Sequence, residues 1–492
     1  MPRRWYVYLL LFSSCVALVC GKTKPVQTPP KDVAVKLPIT TSSPQAKNSF
    51  EKAMQEFEQY RIPETLQDLR AATKADPDFA QAFILLSRLS PDPAEQLTTR
   101  ERAKHLAAKV SPGEQLLIRW LAGSQENNYL PAIGAMNDLL AKYPRDQRLA
   151  YLAGDWLMGQ KRYEQAATVL ERAVLLYPDY AAALNDLAYA YADLGNFDKA
   201  FSTMDRYVAL QPEQPNPHDS YGEILRMAGK FDAALEQFRM SIRIDPNFGS
   251  EVGVADTYAL MGKEREAREE YDRAIVFAPS NADKVQRELQ AAVTWIRDNN
   301  RKQADRAFSD VARHAHTAGL AELEAEAHRI LGMYEADPRL ALKQLQGADD
   351  ALHEDHQISA SKRDEELARI LRVRVDRSIE IHDLDAASNA LQQLEVMAGT
   401  IRSEVIELSY HGAAGALLVA QGKPDAAIPH LEEGNTDPEC MRLLWRIYSS
   451  NGATSQAQAI AAKLAALNQP TVEQALVVPH FRVSLVSQAG QP

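Results

Sequence analysis

Histidines in the C-terminal half are the residues of this 492-residue chain best suited to chemistry. His353 and His356 stand three residues apart among four acidic residues in DDALHEDHQ, and could hold a divalent ion from one helix face. The alternative is a solvated acidic surface at a helix end, because no residue that would orient the imidazoles can be identified. His314 and His316 point to nearly opposite sides of a helix, so that pair alone does not predict a shared metal.

Motifs of the common enzyme classes do not occur in the sequence: GxxxxGKS/T, GxGxxG, HExxH, GxSxG and paired CxxC are all missing. These motifs bind phosphate, hold a metal or activate a serine, so their absence predicts a protein with no catalytic residues and no cofactor. An enzyme or metal-dependent protein remains the alternative, with its site within residues 281–407. It would require a carboxylate and four histidines to converge: His314, His353, His356 and His382.

A fixed period organises the middle of the chain. Prolines recur every 34 residues at Pro144, Pro178, Pro212 and Pro246, and Pro279 follows after 33. Two further columns keep this register, one of alanine at positions 132, 166, 200, 234 and 267, and one of glycine or alanine at positions 154, 188, 222 and 255. A period of this length predicts a stacked repeat array.

Each unit reads as two amphipathic helices, as in RLAYLAGDWLMG followed by RYEQAATVLERAVLLY. Glycines at 195, 229 and 262 fit the turn between the helices, because glycine accepts the left-handed conformation without a clash. The prolines end the second helix. The small residues are expected where the two helices approach most closely.

At these positions the chain resembles the tetratricopeptide repeat family, with five units over residues 113–279. Trp120 and Lys161 depart from the pattern, because they stand where a small residue and the turn glycine belong. Weaker repeats are expected over 47–112 and 408–467, and degenerate helical repeats over 280–407. The resemblance implies an all-α fold, a right-handed superhelical solenoid of helix-turn-helix repeats.

The resemblance also implies a non-catalytic interaction scaffold whose concave groove holds a peptide or a partner protein. The family's groove positions fall on Tyr151, Asp155, Asn185, Tyr189, Asp219, Glu223, Arg226 and Asp256. Only Asn185 matches the clamp that other members use for a C-terminal carboxylate, and acidic groups predominate. A basic or neutral segment is therefore the expected ligand, although an ordinary solvent-facing polar surface would look the same.

The N-terminus resembles an export signal, with two arginines, an apolar run from Trp5 to Val19 and small residues near Gly21. We expect a signal peptide over 1–21, a flexible Pro/Thr/Ser-rich linker over 22–46, and a periplasmic or extracellular protein. A membrane-anchored lipoprotein modified at Cys15 or Cys20 is the less favoured alternative. No later run is long enough to span a membrane, and residues 468–492 read as a C-terminal tail.

The formal net charge of −11 argues against a nucleic-acid partner, because phosphate contacts need clustered lysine and arginine. Cys440 is the one cysteine beyond the export signal, and it is expected to be a small buried residue rather than a reactive thiol.

Overall fold

The computed structural model describes residues 36–489. Within this range the chain forms 25 α-helices and one short 3₁₀ helix, with no β-strand. The predicted signal peptide and the two cysteines considered for lipidation lie outside the described residues.

The first seven helix pairs cover the predicted N-terminal repeats and the five regular ones. They are α1 Pro44–Phe57, α2 Ile62–Ala75, α3 Ala80–Leu89, α4 Pro93–Leu106, α5 Pro112–Gln125, α6 Tyr129–Lys142, α7 Gln147–Gly159, α8 Tyr163–Leu176, α9 Ala181–Asp193, α10 Phe197–Leu210, α11 Pro215–Met227, α12 Phe231–Ile244, α13 Glu251–Leu260 and α14 Glu264–Val276, with the 3₁₀ helix at Ala107–Lys109.

Five further pairs and a final helix complete the array. They are α15 Asn281–Arg297, α16 Arg301–Thr317, α17 Ala321–Tyr334, α18 Pro338–Glu354, α19 Ala360–Glu380, α20 Leu384–Thr400, α21 Glu404–Ala420, α22 Pro424–Glu433, α23 Pro438–Ser450, α24 Thr454–Ala465 and α25 Val472–Ala489. The all-α solenoid predicted from the sequence is confirmed.

The small-residue column lies at the seam between the two helices of each pair, as predicted. A Cβ atom on Gly154 would come 2.5 Å from the Leu170 side chain, and one on Gly222 would come 2.8 Å from the Phe238 ring. Such distances leave no room for a side chain. The departure at Trp120 is accommodated because the indole is fully buried and meets Trp156 edge to face, with 6.1 Å between ring centroids.

The turns within pairs use left-handed backbone. Gly195, Gly229 and Gly262 all have φ of +74°, and Lys161 takes the same conformation at +55° in place of glycine. Asn299 and His382 mark equivalent turns in the C-terminal half, with φ of +54° and +62°. The chain therefore keeps its helix-turn-helix plan where the 34-residue period is lost.

Longer helices explain that loss of period. α15, α16, α18, α20 and α21 have 17 residues each and α19 has 21, against 13 or 14 in α5–α12. Each added turn of helix lengthens the unit by 3–4 residues. Residues 281–400 thus remain regular in structure although their sequence spacing is not.

The superhelix comes back onto itself after about one turn. The Asn127 side-chain amide donates to the Ala360 carbonyl at 3.0 Å, and the Tyr129 hydroxyl donates to Glu365 at 3.1 Å. These contacts join the third pair, α5–α6, to the tenth, α19–α20. One superhelical turn therefore takes about seven pairs, and the second turn rests on the first.

Both ends of the described chain pack on the array. The Leu37 amide donates to Asp146 at the start of α7 at 2.8 Å, Gln81 of α3 donates to the Pro38 carbonyl at 2.5 Å, and the Thr40 hydroxyl donates to Glu114 of α5. Residues 36–43 of the predicted linker therefore cross the first helices of three pairs. At the other end, most of the predicted tail forms α25. This helix contacts α15, α23 and α24, and its Phe481 ring meets Trp445 at 5.1 Å.

Candidate functional site

The eight residues predicted to line the groove lie on α7, α9, α11 and α13, the first helices of four successive pairs. Side-chain contacts connect these helices. The Tyr189 hydroxyl donates to Glu223 at 2.5 Å, and Arg226 donates to Asp256 at 2.9 Å. The predicted positions thus form one row on the inner side of the first superhelical turn.

The row is less accessible than a binding groove would require. Four of its members are buried, with 1–6% of their surface exposed: Tyr151, Asn185, Arg226 and Asp256. The other four are half-buried: Asp155, Tyr189, Asp219 and Glu223. Tyr151, which was expected to face the groove, is instead a core residue packed against the rings of Phe57 and Tyr180.

The turn between α1 and α2 fills this inner side. Tyr60, with φ of +59°, donates its hydroxyl hydrogen to Asp186 at 2.6 Å and accepts from the Asn185 amide at 2.9 Å. Glu58 in the same turn pairs with Arg148 on α7 at 2.6 Å. The N-terminal pair therefore occupies the space in which an external segment was expected. The repeat pattern gave no signal for these contacts, because they join residues far apart in sequence.

Burial changes the acid–base behaviour of the row. Removal from water raises the pKa of Asp186 from 3.8 to about 7, with a further contribution from the Asp155 carboxylate. Burial followed by repulsion from Glu223 raises the pKa of Asp219 to about 7 as well. Two carboxyl groups on the inner side of the first turn, Asp186 and Asp219, therefore titrate near neutral pH.

A second concave site lies in the second turn of the superhelix. It is a cavity of about 600 Å³ lined by the first helices α15, α17, α19 and α21, by the start of α23, and by residues 467–474, which connect α24 to α25. Lys161 of the first turn completes its wall. This cavity was missed by the sequence analysis because the irregular spacing of residues 281–400 gave no register on which to project groove positions.

Acidic groups outnumber basic ones in the cavity. The acidic lining residues are Glu322, Glu326, Glu366, Asp376, Asp437, Glu439 and Glu473, and the basic ones are Lys161, Arg329, Arg369 and Arg372. Apolar side chains, among them Leu408 and Met333, lie between them. The cavity therefore offers both apolar contact and an excess of negative charge.

Each of the three arginines in the cavity already contacts a carboxylate. Arg329 is buried and donates to Glu366 at 2.6 Å, while Arg369 donates to the other oxygen of the same carboxylate at 3.1 Å. Arg372 donates to Asp376 at 3.3 Å. Burial raises the pKa of Glu326 to about 7, against the opposing effect of Arg329. Since the arginines are paired, the cavity is not built as an anion site.

The histidines considered for metal binding are not brought together. His314 bonds Glu288 at 2.7 Å and His353 bonds the Asp349 carbonyl at 2.8 Å. His382 occupies the turn between α19 and α20, and His356 lies in the connection between α18 and α19. Within residues 36–489, no three His, Cys, Asp or Glu side chains are grouped so as to hold a metal ion.

Two further sequence expectations concern burial and membranes. Cys440 is fully buried, as predicted, and burial raises the pKa of its thiol, which disfavours the reactive thiolate. None of the helices in the described part of the chain combines the length and the apolar character that spanning a bilayer requires.

Comparisons with known proteins point to one family. Two tetratricopeptide repeat family models match the chain, over residues 125–174 and 157–224. No match was found among curated proteins.

Similar solved structures include the Cut9–Hcn1 hetero-tetramer of the APC/C, at 16% identity and a TM-score of 0.42, covering 82% of this chain and 76% of that one. A tetratricopeptide repeat protein from Parabacteroides merdae is similar at 14% identity and a TM-score of 0.35, with 62% and 98% covered. PilF of Pseudomonas aeruginosa is similar at 14% identity and a TM-score of 0.30, with 54% and 94% covered.

The matched residues fall on α6–α11, in which the helix pairs, the glycine turns and the tight small-residue seam are all present. Proteins with such repeats typically act as non-catalytic scaffolds that bind other proteins. Residues 125–224 of the chain therefore match the tetratricopeptide repeat family.

Proposed function

We propose that this protein is an exported, non-catalytic scaffold that binds a segment of a partner protein on its concave side. The observation that carries the proposal is the cavity of about 600 Å³ lined by successive first helices of the second turn. In a helical-repeat array these helices form the surface on which ligands are usually held. Because the α1–α2 turn fills the first turn, the cavity is the concave surface left for a partner.

The charge of the cavity favours a basic or neutral segment over a C-terminal carboxylate. Its acidic groups are in excess, and its three arginines lie 2.6–3.3 Å from carboxylates. A ligand carboxylate would have to displace one of these pairs, which costs more than it returns. Binding should weaken with added salt, because the half-buried carboxylates of the rim are screened.

The first-turn row has a supporting place in this proposal. Asp155, Tyr189, Asp219 and Glu223 keep part of their surface accessible. A segment longer than the cavity could extend towards them past Lys161. The buried members of the row would hold the array together rather than touch the ligand.

A cavity-filling variant tests the proposal. Leu408 lines the cavity and is half-buried, so Leu408→Trp should reduce its free volume and lower partner recovery at least tenfold in affinity capture. The matched control is Leu175→Trp, since Leu175 is 62% exposed and does not line the cavity. Equal recovery by the two variants, with unchanged helical content, would remove the cavity as the binding surface.

Export is proposed from the N-terminal sequence alone. Intact-mass analysis of the envelope fraction should find a chain beginning near Lys22. A diacylglycerol mass on Cys15 or Cys20 would replace secretion with lipid anchoring, and a cytoplasmic chain that retains Met1 would contradict export.

A further inference from the structure

Two histidines that the sequence analysis did not single out face each other across a helix pair. His411 lies on α21 and His430 on α22, and their Nδ1 atoms are 3.0 Å apart. The ring centroids are 5.1 Å apart, with the ring planes inclined at 43°. Both side chains are half-buried, so the two nitrogens meet at a place that solvent can reach.

The separation of the two nitrogens is informative. Imidazole nitrogens bind transition-metal ions at about 2.0–2.1 Å, so two nitrogens 3.0 Å apart would subtend roughly 90–97° at a shared ion. That angle suits two adjacent positions of a square-planar or tetragonal ion, the geometry of Cu²⁺ and Ni²⁺. For nitrogen ligands, Cu²⁺ is also bound more tightly than Ni²⁺ or Zn²⁺.

The surroundings favour the neutral form of both imidazole rings, in which a nitrogen lone pair is available to bind a metal ion. The Tyr410 ring packs 5.1 Å from the His411 ring and 5.8 Å from the His430 ring, which restricts how far either imidazole can turn. Burial lowers the pKa of His430, and the neighbouring His411 lowers it further. In the absence of a metal one Nδ1 donates a hydrogen bond to the other. Moving that proton to Nε2 leaves both Nδ1 lone pairs available without net proton release.

We infer that His411 and His430 form a two-histidine site that connects α21 to α22 through a bound Cu²⁺ ion. Ni²⁺ would bind the same site more weakly. No group of three candidate ligands exists in the described residues, so water would complete the coordination shell. The site would be exchangeable rather than permanent. Its consequence would be local: metal binding to the folded state stabilises the α21–α22 pair, of which α21 forms part of the cavity wall.

Titration of the purified protein with Cu²⁺ at pH 7.5 tests the inference, followed by electron paramagnetic resonance. We expect one Cu²⁺ with two equatorial nitrogen donors and a higher melting temperature. His411→Gln and His430→Gln should each weaken binding at least tenfold and abolish the thermal shift. His353→Gln is the matched control and should leave both unchanged, because His353 lies on α18 and bonds the Asp349 carbonyl of that same helix.

Helical content by circular dichroism separates loss of the site from loss of the fold, and His430→Phe provides a second variant that keeps an aromatic ring. Cu²⁺ bound with the same affinity and nitrogen count by the two single variants would overturn the inference. So would Zn²⁺ binding more tightly than Cu²⁺ to the wild-type protein.

Discussion

Asp186, a buried carboxyl group next to Asn185 of the row, provides the sharpest test of the effect of burial on the inner side of the first turn. Its side chain is 8% exposed, accepts from Tyr60 at 2.6 Å, and lies near Asn185 at 3.3 Å. Its second oxygen, Oδ2, has no hydrogen-bond partner among the described residues. The substitution Asp186→Asn keeps one acceptor for the Tyr60 hydroxyl and removes the buried charge.

The size of the expected change in stability follows from the pKa of Asp186. The folded value is raised from 3.8 to about 7, so the neutral carboxyl is favoured in the folded state. The stability that this preference contributes is complete below about pH 4 and is lost as the pH rises through about 7. The shift is about 3 pKa units, so at about 1.4 kcal/mol per unit the free energy of unfolding of the wild type falls by about 4 kcal/mol.

Asp186→Asn should therefore be the more stable protein at pH 8 and nearly equal to the wild type at pH 4. The assay is thermal denaturation followed by circular dichroism at intervals between pH 4 and 8. Asp138→Asn, at an exposed position on α6, is the control and should show no such crossover. A difference between Asp186→Asn and wild type that does not change with pH would refute the reasoning.

Two further variants test the packing. Gly222→Leu should cost about 1–3 kcal/mol or more, because even a Cβ would lie 2.8 Å from the Phe238 ring, whereas Gly134→Leu has open space around it and should melt like the wild type. Tyr60→Phe should cost about 1–3 kcal/mol by leaving two buried polar groups without their hydroxyl partner, while Tyr177→Phe, which loses an exposed hydrogen bond, should cost less. Equal melting temperatures within either pair would contradict the corresponding contact.

Sequence reasoning succeeded where structure is set by local repetition. Gly222 and Gly195 recur in register because each unit must solve the same two problems, a close helix crossing and a left-handed turn. The chemistry of these positions is visible in the residues themselves. The fold class and the regular repeats could therefore be predicted before any coordinates were known.

Sequence reasoning did not reveal the contacts that depend on the path of the superhelix. The contact from Tyr60 to Asp186 spans 126 residues, and the contact from Asn127 to Ala360 spans 233. Their distances depend on how many pairs complete one turn, a number that no local pattern encodes. The same argument explains why α25 was read as a tail: its apolar residues become meaningful only against α15 and α23.

The candidate site combines local and long-range features. Asp219 and Glu223 lie on α11, where their position within the repeat unit fixes the direction in which they point. Their accessibility was not predictable, because it depends on the α1–α2 turn. The cavity of the second turn was not predictable either, because longer helices had removed the register.

Site-specific photocrosslinking tests the central claim, that partners bind in the cavity, most directly. A benzoylphenylalanine introduced at Gln469, an exposed residue that lines the cavity, should crosslink a partner, and the same group at Leu175 on the exposed surface should not. Crosslinking should decline with added salt. Crosslinks formed only at Leu175, with none at Gln469, would contradict the account.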